Sequence, residues 1–335
     1  MFNTNPAQSS EPAPGNPRDR ARYFIHHRTE YHYSAPVSIS HHAACLCPSN
    51  SETQTLQRFS LFPSPPTSNI SEHQDYFGNT RHQFSITTSH DLFSVDMLAI
   101  VQKLRGRVPD LGSSPTCAEV LAFLGDSQDK EAIQASEFTH VTPLTVPREE
   151  FEEFAAQVLQ PERPYLEGVM ELCRNIFDTF EFDPEATDLN TPLEEFWQQK
   201  GGVCQDFAHF AISCLRSVGF AAGYVSGYIL THPPQGRPRL EGADATHAWI
   251  SVYTPGLGWV DFDPTNALLC NIEHIQVARG RDYQDVSPIK GAVSGGGEQD
   301  ISVSVTVMPD SEENLDVLWD KRFRSVQQQA EREQA

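Results

Sequence analysis

From Arg22 onward the chain alternates, with Tyr23, Ile25, Thr29, Tyr31 and Tyr33 on one side and Arg22, Arg28, Glu30 and His32 on the other. A period of two predicts a half-buried β-strand. Further strand-like runs follow at residues 37–46, 55–62, 69–77 and 80–87, punctuated by Pro-Ser, Ser-Asn and Pro-Pro. Gly78-Asn79 suits a tight hairpin whose central residues take positive φ. Residues 1–20, rich in Pro, Asn and Ser, hold too little apolar surface to offset the entropy of ordering them and read as a flexible leader.

Beyond residue 104 the period lengthens. Residues 117–123 and 149–159 read as helices, broken by Gly and Pro, within a connector over 104–163. Leu166, Val169, Met170, Cys173, Ile176, Phe177 and Phe180 then recur every three or four residues, a stripe wide enough to bury one face of a helix over 165–180. A short piece at 193–199 ends at Lys200-Gly201-Gly202. After it a new helix carries Val203, Phe207, Phe210, Ala211, Cys214, Leu215 and Val218 as its buried stripe, with Gly219 as C-cap.

Residues 221–230 and 245–253 are strand-like, the second alternating His247, Trp249, Ser251 and Tyr253 against Ala248, Ile250 and Val252. Residues 231–244, with their Pro-Pro-Gln-Gly run, form a surface loop between the two. Pro255-Gly256 turns the chain into a strand over 259–263, and Ile301, Val303, Val305 and Val307 mark a final strand after a Gly-rich turn. A charged, Gln-rich stretch from Glu312 onward then reads as a frayed helix or tail. The pattern predicts an α+β protein divided into a leader (1–20), an antiparallel β module (21–103), the connector (104–163), a core (164–309) and a tail (310–335).

Composition narrows the function. Twenty-four Lys and Arg against 45 Asp and Glu leave a formal charge of -21, which repels polyanions and argues against a nucleic-acid partner. No apolar run reaches membrane-spanning length, and residues 1–20 carry neither the basic nor the apolar part of a secretory signal. Seven scattered cysteines, an odd number, fit free thiols in a reducing cytoplasm better than a disulfide framework. Cys45 and Cys47 stand one residue apart with no second Cys or His pair at finger-like spacing, so no metal site is expected among the histidines and cysteines of the β module.

Three segments carry candidate chemistry: Gly201-Gly202-Val203-Cys204-Gln205-Asp206, Thr246-His247-Ala248-Trp249, and Gly258-Trp259 through Asp263-Pro264-Thr265. A thiol performs acyl transfer when an imidazole takes its proton and a carboxylate orients that imidazole. Cys204 sits in the first turn of a predicted helix, where the partial positive charge and unpaired amides favour a thiolate and can hold an oxyanion. Cys214 lies on the apolar stripe and reads as a small hydrophobe. His247 and Asp263 fall on neighbouring strands. Asp261 lies on the same face as Asp263 and is a rival, while an Asp before Pro also commonly starts a turn. Gly202 and Val203 either admit a substrate backbone or form a plain loop, and Trp249 and Trp259 either wall a substrate site or pack in the core.

These segments, with Asp206-Phe207-Ala208-His209, resemble the bacterial transglutaminase-like superfamily, a branch of papain-like thiol enzymes. Residues 23–37 and 75–79 look like the β-rich region that precedes the core in many members, and 279–291, with Gly280-Arg281-Asp282-Tyr283 and Pro288, like the core's usual tail. The likeness runs from residue 22 to about 309. It implies a helix packed on an antiparallel sheet, with Cys204 as nucleophile, His247 as base and acid, and Asp263 rather than Asp261 as orienting carboxylate. A peptide or protein substrate and no cofactor are expected, and no Asp-rich loop of EF-hand spacing is present. The superfamily holds peptidases, amidases and protein cross-linkers; arylamine acetyltransferases use the same three residue types in the same order. A peptide-binding module with a vestigial site is the non-enzymatic alternative. The acyl acceptor and oligomeric state stay open.

Overall fold

The computed structural model describes residues 19–126, 129–187, 191–232, 242, 244 and 246–332. The expected leader lies outside the described residues as far as residue 18, as do most of the 231–244 loop and residues 333–335. Strand β1 (Arg20–Ala44) already begins at the end of that leader.

The alternation of β1 and its successors builds one antiparallel sheet from β1, β2 (Gln54–Ser64), β3 (Ser71–Gln74), β4 (Thr80–Ile86) and β5 (His90–Leu104), in the order β2-β5-β1-β4-β3. β5 sits between β2 and β1, and Phe93, Val95, Met97, Leu98, Ala99, Ile100 and Val101 are all fully buried there. A strand covered on both faces loses the alternation that marks a half-buried one. At the β3–β4 hairpin only Gly78 takes positive φ, +80°, because Asn79 is turned to another use. Its side chain donates to the Arg279 carbonyl at 2.9 Å and accepts the Arg279 amide at 2.9 Å, copying a pair of ladder bonds onto a distant strand.

The connector forms helices α1 (Cys117–Asp126), α2 (Lys130–Ser136) and α3 (Glu149–Ala156), followed by α4 (Tyr165–Thr179). The expected α4 stripe buries Leu166, Val169, Met170, Cys173 and Ile176, but Phe177 is half exposed. Next come β6 (Glu181–Phe182), α5 (Leu193–Gln199), β7 (Gly201–Gly202) and α6 (Cys204–Ser217). Helix α6 ends as the glycine predicts, with Gly219 at φ +90°. It packs on a second antiparallel sheet of β8 (Ala222–Ile229), β9 (Thr246–Thr254), β10 (Gly258–Asp263), β11 (Leu268–Leu269) and β12 (His274–Gly280), ordered β11-β10-β9-β8-β12.

After the short helix α7 (Tyr283–Val286), strands β13 (Ile289–Gly295) and β14 (Gln299–Pro309) form where the sequence places a final strand, yet both pair with β1. The sequence assigns residues 289–309 to the core; they complete the N-terminal sheet instead, because period two identifies a strand without naming its partner. Helix α8 (Leu315–Arg332) then covers the far face of that sheet, with Leu315, Leu318 and Trp319 against Phe24, Leu98 and Ile100. The expected tail is thus largely a docked helix.

Two buried histidines couple this sheet to acidity. His27 joins it to the core sheet, its Nδ1 2.9 Å from the Tyr228 hydroxyl and its Nε2 2.8 Å from Thr29 Oγ1. His42 stacks on Phe93 with ring centroids 3.9 Å apart, and neither of its ring nitrogens has a hydrogen-bond partner among the described residues. Burial pushes both pKa values down to about 4, aided by His26 near His27 and by His90 and His41 near His42. The unfolded chain therefore takes up protons near pH 6.5 that the folded chain refuses until about 4, so stability falls across that window and the loss levels off below it. Urea unfolding at pH 7, 5.5 and 4 is expected to lose a few kcal/mol from these two groups together. His42→Phe should remove part of that slope; an unchanged slope would refute the assignment to His42.

Candidate active site

The residues around Cys204 are set by close packing. Gly201 and Gly202 pair in parallel with Glu181 and Phe182. A Cβ on Gly202 would lie 2.7 Å from Asp206 Oδ2 and 2.8 Å from Phe196 Cδ2. Gly202 is buried, and its missing side chain makes room for the protein's own groups rather than for a substrate. Val203 is extended (φ -105°, ψ 172°) at the N-cap. Asp206, one turn on, accepts the Val203 amide at 2.9 Å and the Thr187 hydroxyl at 2.6 Å. The helix start is thereby fixed with Cys204 half-buried in its first turn, ahead of the Asp206 and Phe207 amides that donate to the Val203 carbonyl at 2.9 and 3.2 Å. His209, also on α6, accepts the Tyr283 amide at 3.1 Å and ties the helix to the segment after β12.

His247 is the second residue of β9, opposite Gly227 of β8. Its Nε2 lies 2.7 Å from Asp263 Oδ2, and Cys204 lies near enough to the ring to act on its charge. With Nε2 committed to the carboxylate, Nδ1 is the nitrogen left for sulfur. Burial alone would lower the pKa of His247, but the bond to Asp263 and the influence of Asp263 and Cys204 on its charge carry it up to about 10. The imidazolium is therefore the favoured form at neutral pH. Its contribution to stability is present below the unfolded value near 6.5 and is lost as pH rises through about 10.

Asp263 is fully buried at the end of β10. Oδ2 takes His247 Nε2, the Asn266 side-chain amide at 2.7 Å and His274 Nε2 at 3.1 Å, while Oδ1 accepts the Thr265 and Asn266 backbone amides at 3.0 and 3.2 Å. Burial would raise its pKa; the donors, His247 and His274 first, hold it well below the usual carboxylate range. The turn-starting role and the contact with His247 are thus both filled, by different oxygens of one carboxylate. Asp261 has a separate task, accepting Trp249 Nε1 at 3.2 Å.

The two tryptophans lie elsewhere than a substrate wall requires. Trp249 is 1% exposed, its ring against His247 and His274 at 6.1 and 5.4 Å. A Cβ on Gly227 would meet that indole at 2.5 Å, which explains the glycine. Trp259, at the other end of β10 from Asp263, packs on Phe138 at 4.7 Å and Tyr253 at 5.6 Å beneath the Arg279 guanidinium. Sequence reasoning missed Asn266 and His274. Asn266 had a faint signal, three residues beyond a turn-starting Asp; His274 had none.

His247, Asp263 and His274 bring three ligand-type atoms within 4.8 Å of one another. Their 2.7 and 3.1 Å contacts are N–H···O bonds, shorter than the roughly 3.3 Å that two ligands of a tetrahedral zinc keep at ordinary bond lengths. The set fits shared protons rather than an ion.

Residues 23–102 match the bacterial transglutaminase-like N-terminal region, and residues 152–264 match the transglutaminase-like superfamily. An uncharacterized protein of Mycobacterium tuberculosis is 37% identical over 294 residues, spanning 86% of this chain and 93% of that protein. The chain belongs to the transglutaminase-like superfamily. An uncharacterized protein of Mycobacterium leprae is 29% identical over 85% of this chain and 98% of its own length. Among solved structures, a candidate cysteine protease from Cytophaga hutchinsonii superposes with a TM-score of 0.66 at 19% identity, covering 87% of this chain and 91% of that one. That likeness shows a fold shared across nearly the whole of both chains. No helix among the described residues is long and apolar enough to cross a membrane.

Proposed function

We propose that this transglutaminase-like protein is a thiol enzyme that hydrolyses amide bonds in peptide or protein substrates, with Cys204, His247 and Asp263 as its catalytic residues. The observation that carries the reading is the 2.7 Å bond between His247 and the buried carboxylate of Asp263, with Cys204 of the helix start near enough to the same imidazole to act on its charge. With the Cys204 proton held on His247 as the imidazolium, the thiolate attacks the amide carbonyl. First-turn amides of α6 stabilise the tetrahedral oxyanion, and His247 returns the proton to the leaving amine as the C–N bond breaks. This leaves a thioester on Cys204. Water, giving its proton to His247, then adds to the carbonyl, and collapse releases the acid and restores the thiol.

Hydrolysis asks least of the site, since transfer to a lysine needs a surface that holds the amine while keeping water out. All seven cysteines are free thiols, which accords with work in a reducing cytoplasm. The test is product analysis by mass, with a peptide library and a labelled primary amine supplied together. New carboxyl ends, or Gln converted to Glu, are expected. Incorporation of the amine as the main product would replace hydrolysis by transamidation, and no product of either kind would remove the catalytic reading.

A further inference from the structure

We propose that His274 is a positioning residue for the Cys204–His247–Asp263 site, a second imidazole that holds the Asp263 carboxylate and draws off part of its charge. The inference rests on the proposed thiol chemistry for its purpose but not for its measurement. Asp263 Oδ2 is shared between two imidazole nitrogens, His247 Nε2 at 2.7 Å and His274 Nε2 at 3.1 Å, with the Asn266 amide as a third donor at 2.7 Å. All three side chains are buried: His274 is 2% exposed, His247 8% and Asp263 0%.

The other nitrogen of His274 is held by its own turn: Nδ1 lies 3.3 Å from the Asn271 amide nitrogen and 3.4 Å from the Asn271 side-chain oxygen, which leaves Nε2 facing the carboxylate. The two imidazoles differ in their surroundings. Cys204 lies beside His247, whereas the outer nitrogen of His274 faces only the Asn271 turn among the described residues. The chain builds this arrangement at some cost in locality: β12, which begins at His274, is separated from β10 by β9 and β8. The turn through Asn266 and β11 brings it back to the carboxylate.

The effect on chemistry follows from hydrogen-bond competition. A carboxylate that answered to His247 alone would grip the imidazolium tightly and make it a poor acid toward the leaving amine. Each further donor on the same oxygen lowers the basicity of that carboxylate and loosens the grip. His274 thus adjusts how readily His247 releases its proton while keeping Asp263 in a single rotamer. The other titratable groups around the pair are Cys204 beside His247, Cys173 of α4 and Cys270 beside Asp263, and Asp261, with Lys103 facing Cys270 and Asp261.

The test follows the ring nitrogens of His247 by NMR as pH is raised, in the full chain labelled with 15N-histidine, and needs no substrate. In His274→Phe, which keeps a ring but has no N–H, the His247 midpoint is expected to move up by about 0.5–1 pH unit. His274→Gln, whose side-chain amide can reach the same oxygen, should return it most of the way to the wild-type value. If the Phe variant does not unfold cooperatively, His274→Met supplies a flexible filler without a donor. A midpoint that stays put or moves down in the donorless variant overturns the proposal, as does a Gln variant that behaves like Phe. Failure of the hydrolysis reading would appear separately, as absence of products from a protein whose His247 still responds.

Discussion

Cys204→Ala is expected to abolish turnover, with a loss on the order of 10⁴- to 10⁶-fold once a substrate is in hand, because no other group in the site can form the thioester. The fold should survive. Cys204 is half-buried in the first turn of α6, and Ala is the better helix former. The same site predicts a chemical signature. Iodoacetamide near neutral pH should label Cys204 well before the other six cysteines: Cys45, Cys47, Cys117, Cys173 and Cys214 are buried, and burial carries the thiol pKa of the partly exposed Cys270 well above its ordinary value. Equal labelling of several cysteines, or full turnover by the alanine variant, would contradict the assignment of Cys204 as nucleophile.

The largest effect on stability is expected at Arg216, on the opposite end of the same helix. Arg216 is 5% exposed, and each nitrogen of its guanidinium donates to the protein. Nε reaches the Phe138 carbonyl at 2.8 Å, Nη1 the Thr145 hydroxyl at 2.8 Å, and Nη2 the Ala222 and Arg281 carbonyls at 2.8 and 2.6 Å. One side chain thereby binds the connector, the start of β8 and the segment after β12 to α6. Burial lowers its pKa to about 10 against the raising influence of Asp282, so it remains a cation at neutral pH. Arg216→Met keeps the aliphatic stem and strands the carbonyls, at an expected cost of about 3–5 kcal/mol. Arg216→Lys, with one compact ammonium in place of a planar fork, should recover only part of that. Urea unfolding measures both, and a Met variant within 1 kcal/mol of wild type would refute the role.

The site was legible where chemistry and local structure coincide. Cys204 is marked by a glycine-to-helix boundary, and His247 by a strand whose alternation is plain in the sequence. Asp263 was not separable from Asp261 by pattern, since residues two apart on a strand share a face. Their distinction is made by what approaches them, His247 and His274 for one and the Trp249 indole for the other, and an approach across strands leaves no periodic trace. The same holds for the final strands. Ile301 to Val307 alternate as a strand should, but pairing with β1 rather than β12 is decided by packing that no short window contains. Gly202 shows a third kind of gap: a glycine required by an adjacent Phe196 ring and Asp206 carboxylate looks, in sequence, like one left open for a ligand.

The pairing of β1 with β14, Tyr23 opposite Pro309 at one end and Tyr33 opposite Gln299 at the other, fixes the order in which this protein can be finished. On the ribosome, β1 emerges before every other strand of its sheet, while the strand that seals its edge follows the whole of the Cys204 site. Until then its backbone donors and acceptors along that edge face whatever else is in the cell, a template for wrong partners. Assembly is therefore expected to close late and as a unit, with truncation before β14 producing a chain that carries every residue of the Cys204 site yet leaves its first sheet open to aggregation.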